Sequence, residues 1–491
     1  MSSPHNTTSL YNGMFDKVIN ALYQSSQGFS KTTLKQRHNL LYSIATALDA
    51  NRNNLIKITE KETHLEEARL NSEFNRTLLQ WRSYADHCLS GLWLNASIDN
   101  PTQHGRDIRK TMVPLGPVVV FGASNFPFAY STAGGDTASA LAAGCSVIVK
   151  AHPAHPETSA ACAAIISRAM EEMGLPTGIF THIEDSSLQM GEALVKHPLI
   201  KAVAFTGSLQ GGRQLFDWAN QRDIPIPVFA EMGSLNPIFL LPEKLKTETE
   251  TIALQLFESI TQSMGQFCTK PGLIIGLASE HFSIFIEQLS KRIQSCEAKS
   301  MLHQGILDNY HKNRDSILHH QHVTLTASST HEASADSGIP TLAKVKAADF
   351  LLHPEMQLEV FGPFSLIVEC DNMDEMQCIA EKLQGQLTAS VFGTEKELRM
   401  NERLLEKLTG FAGRLVCNGV PTGVDVCLSM HHGGPYPAST DSRFTAVGGD
   451  AIQRFARPIC FQNFPDTLLP DELKNDNPLG ILRKVNNQWG K

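Results

Sequence analysis

The stretch that decides the fold is residues 117–150, PVVVFGASNFPFAYSTAGGDTASALAAGCSVIVK. The apolar runs at 117–121 and 146–150 have the length of buried strands, and residues 126–143 between them predict a helix. Short apolar strands joined by helices are typical of a parallel sheet with both faces covered. This stretch therefore predicts an α/β fold.

The same alternation extends in both directions from this unit. Helices are predicted first, at 10–22, 31–50, 52–68 and 72–89. Strands at 180–183, 202–205 and 227–230 alternate with helices at 157–173, 188–197 and 209–220. A second alternating region has strands at 237–241, 273–277, 358–369 and 389–393, and helices at 247–264 and 280–295. Residues 95–112 predict an exposed hairpin or arm, and residues 324–338 a surface loop.

Length and composition limit the class of protein. A chain of 491 residues is too long for one ordinary core, so two or three domains are expected. Its net charge of −8, without a basic stripe, argues against nucleic acid as a partner. The sequence predicts neither a secretory signal nor a membrane-spanning helix. Ten scattered cysteines without a CxxC pair fit free thiols in a reducing cytoplasm.

Two histidine groups raise the question of a metal. His319, His320 and His322 have no cysteine or carboxylate ligand set beside them in the sequence, and a solvated loop is the favoured interpretation. His152 and His155 are separated by Pro153, so a helix does not align them. We therefore expect no metal.

Polar residues follow the predicted strands at the edge where such sheets bind ligands. Asn125, Lys150, residues 206–208 and Glu231 all lie at or just past strand ends. Cys268 lies in a small-residue turn before the apolar run at 272–277. A thiolate nucleophile, a carboxylate base and an amide donor are the groups that aldehyde oxidation through a thioester needs.

Six motifs in one order then point to a family. They are Gly122-Ala123-Ser124-Asn125-Phe126-Pro127, Val149-Lys150, Phe205-Thr206-Gly207-Ser208, residues 231–237 (EMGSLNP), Gly265-Gln266-Phe267-Cys268-Thr269 and Glu359-Val360-Phe361-Gly362-Pro363. With them the chain resembles the aldehyde dehydrogenase superfamily over most of its length. The resemblance implies a Rossmann-like cofactor-binding domain (1–95 and 114–231) and an α/β catalytic domain (232–440). It also implies a small bridging or oligomerisation arm (96–113 with about 466–491) in a homodimer or homotetramer.

Longer matches narrow the resemblance to one branch of the family. Residues 133–140 (AGGDTASA), 150–156 (KAHPAHP), 432–438 (HGGPYPA) and 462–465 (QNFP) carry it. The branch holds 2,5-dioxovalerate (α-ketoglutarate semialdehyde) dehydrogenases and a bacterial NADP-dependent fatty aldehyde dehydrogenase. It implies oxidation of an aldehyde to a carboxylic acid, with 2,5-dioxovalerate as the favoured substrate.

The resemblance assigns roles to the catalytic residues. Cys268 would attack the aldehyde carbon, and Asn125 with the backbone amide of Cys268 would hold the oxyanion. Glu231 would be the general base that activates water against the thioester. His432, a feature of the branch, could assist proton handling, and a loop histidine with local hydrogen bonds is an equal alternative.

The resemblance also implies the cofactor contacts. Lys150 would face the adenosine ribose, Ser208 with Gly207 the pyrophosphate, and Glu359 with Phe361 the nicotinamide ribose. Many relatives carry a glutamate three residues after the lysine, and here Pro153 takes that position. Without that carboxylate a 2′-phosphate meets no like charge, and His152 and Arg213 could contact it. NADP is therefore favoured, with NAD as the alternative.

Substrate length stays open at this stage. Phe267 is expected to shape the aldehyde pocket, and Arg76 or Arg82 to bind a distal carboxylate. If neither arginine reaches the pocket, a medium- or long-chain aliphatic aldehyde gains support. An acylating enzyme that uses coenzyme A is disfavoured by Glu231, and a non-catalytic relative is disfavoured by the presence of all three reacting groups.

Overall fold

The computed structural model describes residues 4–101 and 105–490, and it confirms the predicted α/β fold. Residues 102–104 of the predicted arm, like 1–3 and 491, lie outside the described residues. Four helices come first in the chain. They are α1 (Pro4–Phe29), α2 (Leu34–Ala50), α3 (Arg52–Thr63) and α4 (Glu67–Ser90).

A five-stranded parallel sheet follows these helices. Its strands are β3 (Val118–Phe121), β4 (Val147–Lys150), β5 (Phe180–Ile183), β6 (Ala202–Thr206) and β7 (Val228–Glu231). Its helices are α5 (Gly135–Ala143), α6 (Pro156–Glu172), α7 (Leu188–Lys196) and α8 (Leu209–Asn220). The spatial order of the strands is β5-β4-β3-β6-β7. The chain adds β4 and β5 on one side of β3 and then crosses to add β6 and β7 on the other side, so the strand order reverses between β3 and β6. Such a reversal opens a crevice at the carboxyl ends of the strands, where α/β proteins bind ligands.

The second sheet has seven strands in the order β11-β13-β14-β9-β8-β15-β16. They are β8 (Ile238–Leu240), β9 (Leu273–Leu277), β11 (Thr324–Ser328), β13 (Thr341–Lys346), β14 (Phe364–Cys370), β15 (Gln386–Phe392) and β16 (Ala412–Cys417). All neighbours are parallel except β11 and β13. Its helices are α9 (Pro242–Thr261), α10 (Glu280–Gln294), α11 (Gln304–Leu318), α12 (Ala347–Leu352), α13 (Met373–Lys382), α14 (Glu395–Met400) and α15 (Glu402–Phe411).

A third sheet joins segments from the middle and the end of the chain, in the order β17-β2-β1-β18-β19. Its strands are β1 (Ser97–Asp99), β2 (Ile108–Pro114), β17 (Ala456–Gln462), β18 (Arg483–Val485) and β19 (Gln488–Gly490). A short ladder pairs β10 (Lys299–Ser300) with β12 (Ser337–Gly338). The exact domain boundaries stay a prediction.

The burial of β3, the central strand of the first sheet, explains why its sequence is apolar throughout. Val118, Val119 and Val120 are almost fully buried, so successive side chains on both faces of β3 are covered. That is why this strand is a continuous apolar run. Among the described helices, none combines the length and the apolar character that crossing a membrane requires.

The helix predicted at 126–143 is wrong in its first half. The helix begins only at Gly135, because Pro127 removes a backbone donor and the carboxylate of Glu73 captures two others. Glu73 Oε1 accepts from the amides of Phe128 and Ala129 at 2.8 and 2.9 Å. Residues 126–134 therefore form turns, which are packed on α4.

The strand predicted at 358–369 is also too long. It starts at Phe364, after a 3₁₀ turn (Pro354–Gln357) and an irregular segment that carries Glu359. Gly362 has φ +147°, a conformation outside a regular strand. In contrast, the loop predicted at 324–338 contains β11, which pairs antiparallel with β13.

Candidate active site

The end of β7 collects the predicted catalytic residues. Glu231 is the last residue of this strand, and the next amide, that of Met232, donates to the carbonyl of Ala438 at 2.8 Å. The segment that follows β16 therefore runs beside the strand end. This pairing carries His432 into the site from a distant part of the chain.

Cys268, His432 and Glu231 form one cluster. Nε2 of His432 lies 3.6 Å from the Cys268 sulfur and 3.0 Å from Oε1 of Glu231. Glu231 and His432 are buried, whereas Cys268 is partly exposed. Neither carboxylate oxygen of Glu231 accepts a hydrogen bond from the described residues. The 3.0 Å separation between Glu231 and His432 is short enough for an ion pair, but the geometry is not that of a hydrogen bond. One imidazole nitrogen thus faces both a thiol and a free carboxylate.

The surroundings of Cys268 favour the thiol over the thiolate. Burial raises the pKa of Cys268 well above its ordinary value, and the negative charge of Glu231 raises it further. The guanidinium of Arg76 opposes this shift, but as a smaller effect. Because the thiolate is the nucleophile, the site needs a nearby acceptor for the thiol proton, and the cluster supplies two.

An unusual turn presents Cys268. Ser263 and Met264 adopt left-handed backbone angles, and Gly265 has φ +63°. A Cβ at Gly265 would lie 2.4 Å from the carbonyl oxygen of Gly362, so only glycine fits here. The turn that carries the nucleophile is therefore packed directly on the segment that carries Glu359.

Asn236 fixes the other side of the nucleophile turn. Its side-chain amide donates to the carbonyls of Cys268 at 2.8 Å and Lys270 at 3.0 Å. Its Oδ1 accepts from the hydroxyls of Ser234 and Thr388, both at 2.9 Å. Asn236 is fully buried with φ +47°, a left-handed conformation that asparagine tolerates. Sequence reasoning gave it no role, although it lies inside the motif at 231–237.

Asn125 reaches the same turn from the end of β3. Its Nδ2 donates to the carbonyl of Gln266 at 3.1 Å, two residues before Cys268. An amide NH₂ has two hydrogens, so one N–H remains for another acceptor. The predicted oxyanion donor is therefore held beside the nucleophile turn.

A pocket of ≈ 290 Å³ opens in front of the sulfur. Phe126 and Phe267 form one wall, with ring centroids 5.3 Å apart and nearly perpendicular planes. Tyr130 forms another wall, and Cys268 lies among the lining residues. Phe267 thus lines the pocket, as the sequence predicts.

Two arginines of α4 line this pocket. Arg76 donates to the Tyr130 hydroxyl at 3.0 Å and to the Val424 carbonyl at 3.3 Å. The guanidinium of Arg69 lies over the rings of Phe126 and Phe267, and its buried Nε has no hydrogen-bond partner among the described residues.

The other predicted arginine is elsewhere. Arg82 is partly exposed and lies 3.7 Å from Asp49, and it is not among the residues that line this pocket. Arg69 was missed by sequence reasoning, although it follows from helix geometry. Seven residues separate Arg69 from Arg76, which places both on one face of α4, whereas Arg82 is rotated from Arg76 by about 240°.

Lys150 occupies the end of β4, where a ribose contact was predicted. It is mostly buried, and no hydrogen bond or ion pair joins its ammonium group to another described residue. Burial lowers its pKa, and Asp185 at the end of β5 opposes that shift. A buried amine without a partner at a strand end is a donor available to a ligand.

His152 does not carry the positive charge expected of a phosphate contact. Burial, with the neighbouring His155, lowers its pKa to about 3, so the ring is neutral. Its Nδ1 accepts from the amide of Ala154 at 3.1 Å, which leaves Nε2–H as the donor. Arg213 is exposed and pairs with Asp217 at 2.9 Å.

The start of α8 matches the predicted pyrophosphate contact. Ser208 caps this helix by accepting from the amide of Gly211 at 3.1 Å, and both Gly207 and Ser208 are exposed. A Cβ at Gly207 would lie 2.5 Å from the ring of Phe205. The open helix N-terminus after a parallel strand suits an anionic group.

Glu359 is held beside the end of β7. Its Oε1 accepts from the amide of Ser234 at 3.3 Å, and a Cβ at Gly233 would lie 2.2 Å from its Oε2. Burial raises the pKa of Glu359, and the charge of Lys270 opposes this shift. Phe361, two residues later, is partly exposed.

Lys270 follows the nucleophile turn and is buried. Its ammonium group donates to the carbonyls of Val360 at 3.1 Å and Phe364 at 2.7 Å. Burial lowers its pKa, and Glu359 opposes that shift. Lys270 therefore ties the nucleophile turn to the segment that presents Glu359.

The fold brings a thiol, an imidazole and a carboxylate together at the carboxyl ends of parallel strands. The chain belongs to the aldehyde dehydrogenase family, whose profile matches residues 11–444. The family resemblance inferred from the six motifs is confirmed.

Similar proteins cover most of the chain. The alpha-ketoglutaric semialdehyde dehydrogenase of Acinetobacter baylyi is 42% identical over 477 residues, covering 96% of this chain and 90% of the relative. Alpha-ketoglutaric semialdehyde dehydrogenase 2 of Azospirillum brasilense is 45% identical over 457 residues, covering 92% and 87%. Among solved structures, a variant of Thermus thermophilus 1-pyrroline-5-carboxylate dehydrogenase has a TM-score of 0.79 at 19% identity, covering 92% of this chain and 86% of that one. At that identity the likeness concerns the fold alone.

Proposed function

We propose that this protein oxidises 2,5-dioxovalerate to 2-oxoglutarate, with NAD(P)⁺ as hydride acceptor and Cys268 as nucleophile. One observation carries the proposal. The cluster of Cys268, His432 and Glu231 lies at a pocket that is also lined by Arg69 and Arg76. The two relatives above 40% identity are named for this aldehyde under its synonym, alpha-ketoglutaric semialdehyde.

The first step is addition of the thiol to the aldehyde. The Cys268 proton passes to Nε2 of His432, 3.6 Å away, as the new bond between sulfur and carbon forms. The aldehyde oxygen becomes an oxyanion, for which the second N–H of the Asn125 side chain and the backbone amide of Cys268 would be the donors. The product is a thiohemiacetal on Cys268.

The cofactor fits the residues at the strand ends. Lys150, the start of α8 at Ser208, and Glu359 would hold it, because each offers a donor or acceptor without a full set of partners. When bound, it supplies the hydride acceptor that converts the thiohemiacetal into a thioester.

Hydrolysis of the thioester falls to Glu231. Its two unpartnered oxygens are available to take a proton from water, while the hydroxide adds to the carbonyl carbon and the sulfur leaves. The carboxylic acid is released and the thiol is restored. The presence of this base supports water rather than coenzyme A as the acyl acceptor.

The choice of substrate rests on charge. 2,5-Dioxovalerate carries a carboxylate at the end opposite its aldehyde, and a desolvated carboxylate needs cationic donors. Arg69 and Arg76 bring two guanidinium groups to this lining, and Glu73 pairs with Arg69 at 2.6 Å, so one positive charge remains without a carboxylate partner in the lining. The aromatic wall of Phe126, Phe267 and Tyr130 favours a medium- or long-chain aldehyde as the second candidate substrate.

We also propose that both NADP⁺ and NAD⁺ are accepted, with NADP⁺ favoured. Pro153 removes a negative charge near Lys150, which supports a 2′-phosphate at this position. Asp185, which interacts with Lys150, opposes a phosphate there. The neutral His152 would act as a hydrogen-bond donor rather than as a cation.

The decisive experiment is an absorbance assay for the reduced cofactor. 2,5-Dioxovalerate and decanal are each paired with NADP⁺ and NAD⁺, with and without coenzyme A, and the acid product is identified. We expect a higher kcat/KM for 2,5-dioxovalerate, no dependence on coenzyme A, and no activity in Cys268→Ala. Full activity in Cys268→Ala, or an acyl-coenzyme A product, would refute the assignment.

The proposal also covers where the protein is located in the cell and how its subunits assemble. The ten cysteines are all free thiols, which supports a reducing cytoplasm. The sheet that joins β1 and β2 to β17 and β18 is proposed as the arm through which a homodimer or homotetramer forms. Light scattering of the purified protein determines the number of subunits.

A further inference from the structure

A second cluster of metal-binding side chains lies away from the active site. His320 follows the end of α11, while His353 and Glu355 lie in the turn after α12. Nδ1 of His353 is 3.1 Å from Oε1 of Glu355, and Nε2 of His320 is 3.5 Å from the same oxygen. One ligand atom from each of the three side chains lies within 4.8 Å of the others.

These separations match the geometry of a tetrahedral metal site. With ligands about 2.0–2.1 Å from a zinc ion, neighbouring ligand atoms are about 3.3 Å apart. The two distances to Glu355 lie on either side of that value, at 3.1 and 3.5 Å. The distances from Glu355 to the two imidazoles therefore suit a shared ion.

The neighbouring groups suit a cation. Oε1 of Glu355 lies within 3.5 Å of a ring nitrogen of both His320 and His353, so one carboxylate oxygen faces two imidazoles. The ring of His322 is 5.4 Å from that of His353, and its Nδ1 lies 3.1 Å from Oδ1 of Asp349. Nε2 of His322 accepts from the side-chain amide of Gln321 at 2.9 Å, so both nitrogens of this ring already have neighbours.

We propose that His320, His353 and Glu355 form a binding site for a divalent transition-metal ion of the zinc class, with water as the fourth ligand. The sequence argued against a metal at His319, His320 and His322 because no carboxylate accompanies them there. The fold supplies the missing ligands from the turn after α12. Metal binding moves the proton of His320 from Nε2 to Nδ1, which ends the long 3.4 Å contact from the amide of His322.

The site has a mechanical consequence for the active centre. Glu355 lies in the 3₁₀ turn four residues before Glu359, and Asn313 of α11 donates to the Glu359 carbonyl at 3.0 Å. A metal ion would clamp the end of α11 to this segment. The occupied site would therefore stabilise the position from which Glu359 acts.

Zinc binding is best measured by titration calorimetry on the full-length Cys268→Ser protein, because that background removes the active-site thiol as a competing ligand. His353→Ala and Glu355→Gln are compared with His319→Ala, the matched control. His319 is adjacent to His320 in the chain, is exposed, and bonds only to the Asp315 carbonyl. Melting temperatures of the metal-free variants verify that each is folded.

We expect one equivalent of Zn²⁺ to bind to the parent and to His319→Ala, and to bind at least tenfold more weakly to the two ligand variants. Equal binding in His353→Ala, Glu355→Gln and the parent would overturn the proposal, as would no binding to a parent that is folded.

Discussion

Nε2 of His432 lies 3.0 Å from Oε1 of Glu231, and both side chains are buried. The same nitrogen is 3.6 Å from the Cys268 sulfur. Nε2 of His432 therefore lies close to both the thiol and a carboxylate that accepts no hydrogen bond from the described residues. In the proposed mechanism, one imidazole would lie beside both the thiol that attacks the aldehyde and the carboxylate that activates water.

Removal of the negative charge of Glu231 should make Cys268 more acidic. The carboxylate raises the pKa of the thiol because it disfavours the thiolate beside it, so Glu231→Gln shifts the pH midpoint of Cys268 alkylation downward. The rate of iodoacetamide labelling between pH 6 and 10 measures this midpoint, and Cys268→Ser gives the background from the other thiols. An unchanged or higher midpoint would contradict the assigned cause.

The same substitution should separate the two halves of the reaction. Glu231→Gln retains the thiol and the oxyanion donor but lacks the base for hydrolysis. We expect a burst of about one equivalent of reduced cofactor, followed by steady turnover that is slower by roughly 10²–10⁴-fold. Stopped-flow absorbance records both phases, with Cys268→Ala as the variant without a burst. Loss of the burst in Glu231→Gln would place the carboxylate before thioester formation.

The two pocket arginines should distinguish charged from apolar aldehydes. Arg69→Met or Arg76→Met removes a charge-assisted contact of about 1.5–3 kcal/mol, which corresponds to roughly 10–150-fold in kcat/KM for 2,5-dioxovalerate. The value for decanal should change little. Arg82→Met, on another face of the same helix, is the matched control. Equal losses on both aldehydes would mean that the arginines support the fold rather than the substrate.

Asp185 should limit the use of NADP⁺. Asp185→Asn removes a negative charge near Lys150 while the side chain can still accept from the Ser187 amide, as it does now at 2.7 Å. The ratio of kcat/KM for NADP⁺ to that for NAD⁺ should rise severalfold, because the 2′-phosphate loses a like charge. Steady-state kinetics at low and high salt test the charge effect, which high salt should reduce. A ratio that falls would argue that the 2′-phosphate binds elsewhere.

Asn236 should contribute strongly to stability. Asn236→Ala leaves buried partners without hydrogen bonds, including the Cys268 and Lys270 carbonyls, at a cost of about 3 kcal/mol or more. Denaturant unfolding measures the loss. Asn220→Ala removes a single exposed bond to Phe216 and should stay within about 0.5 kcal/mol of the parent. Similar stability of the two variants would show that the turn is held by other contacts.

Local sequence patterns predicted those helices and strands whose formation depends on a local signal alone. The strand at Val118–Phe121 follows from an uninterrupted apolar run, and the helix at Leu209–Asn220 follows from its period and its serine cap. The helix expected at 126–143 failed because a carboxylate from a different helix, Glu73, binds the amides that would have begun it. No local signal reveals such a distant acceptor.

In the candidate active site, too, local sequence patterns predicted some residues, whereas others depend on contacts between distant parts of the chain. Glu231 and Asn125 could be predicted, because strand ends are visible in the sequence. The closeness of His432 to both Cys268 and Glu231 could not, because it depends on the segment after β16 pairing beside β7. The periodicity of α4 contained enough information to prefer Arg69 over Arg82 as the partner of Arg76.

The contact of Gly265 with Gly362 has a consequence for anyone redesigning this scaffold. The backbone under the nucleophile and the backbone under Glu359 touch without an intervening side chain. A graft that alters one loop without its counterpart would collide or leave a gap. Exchanges of specificity between relatives should therefore transplant both loops as a matched pair.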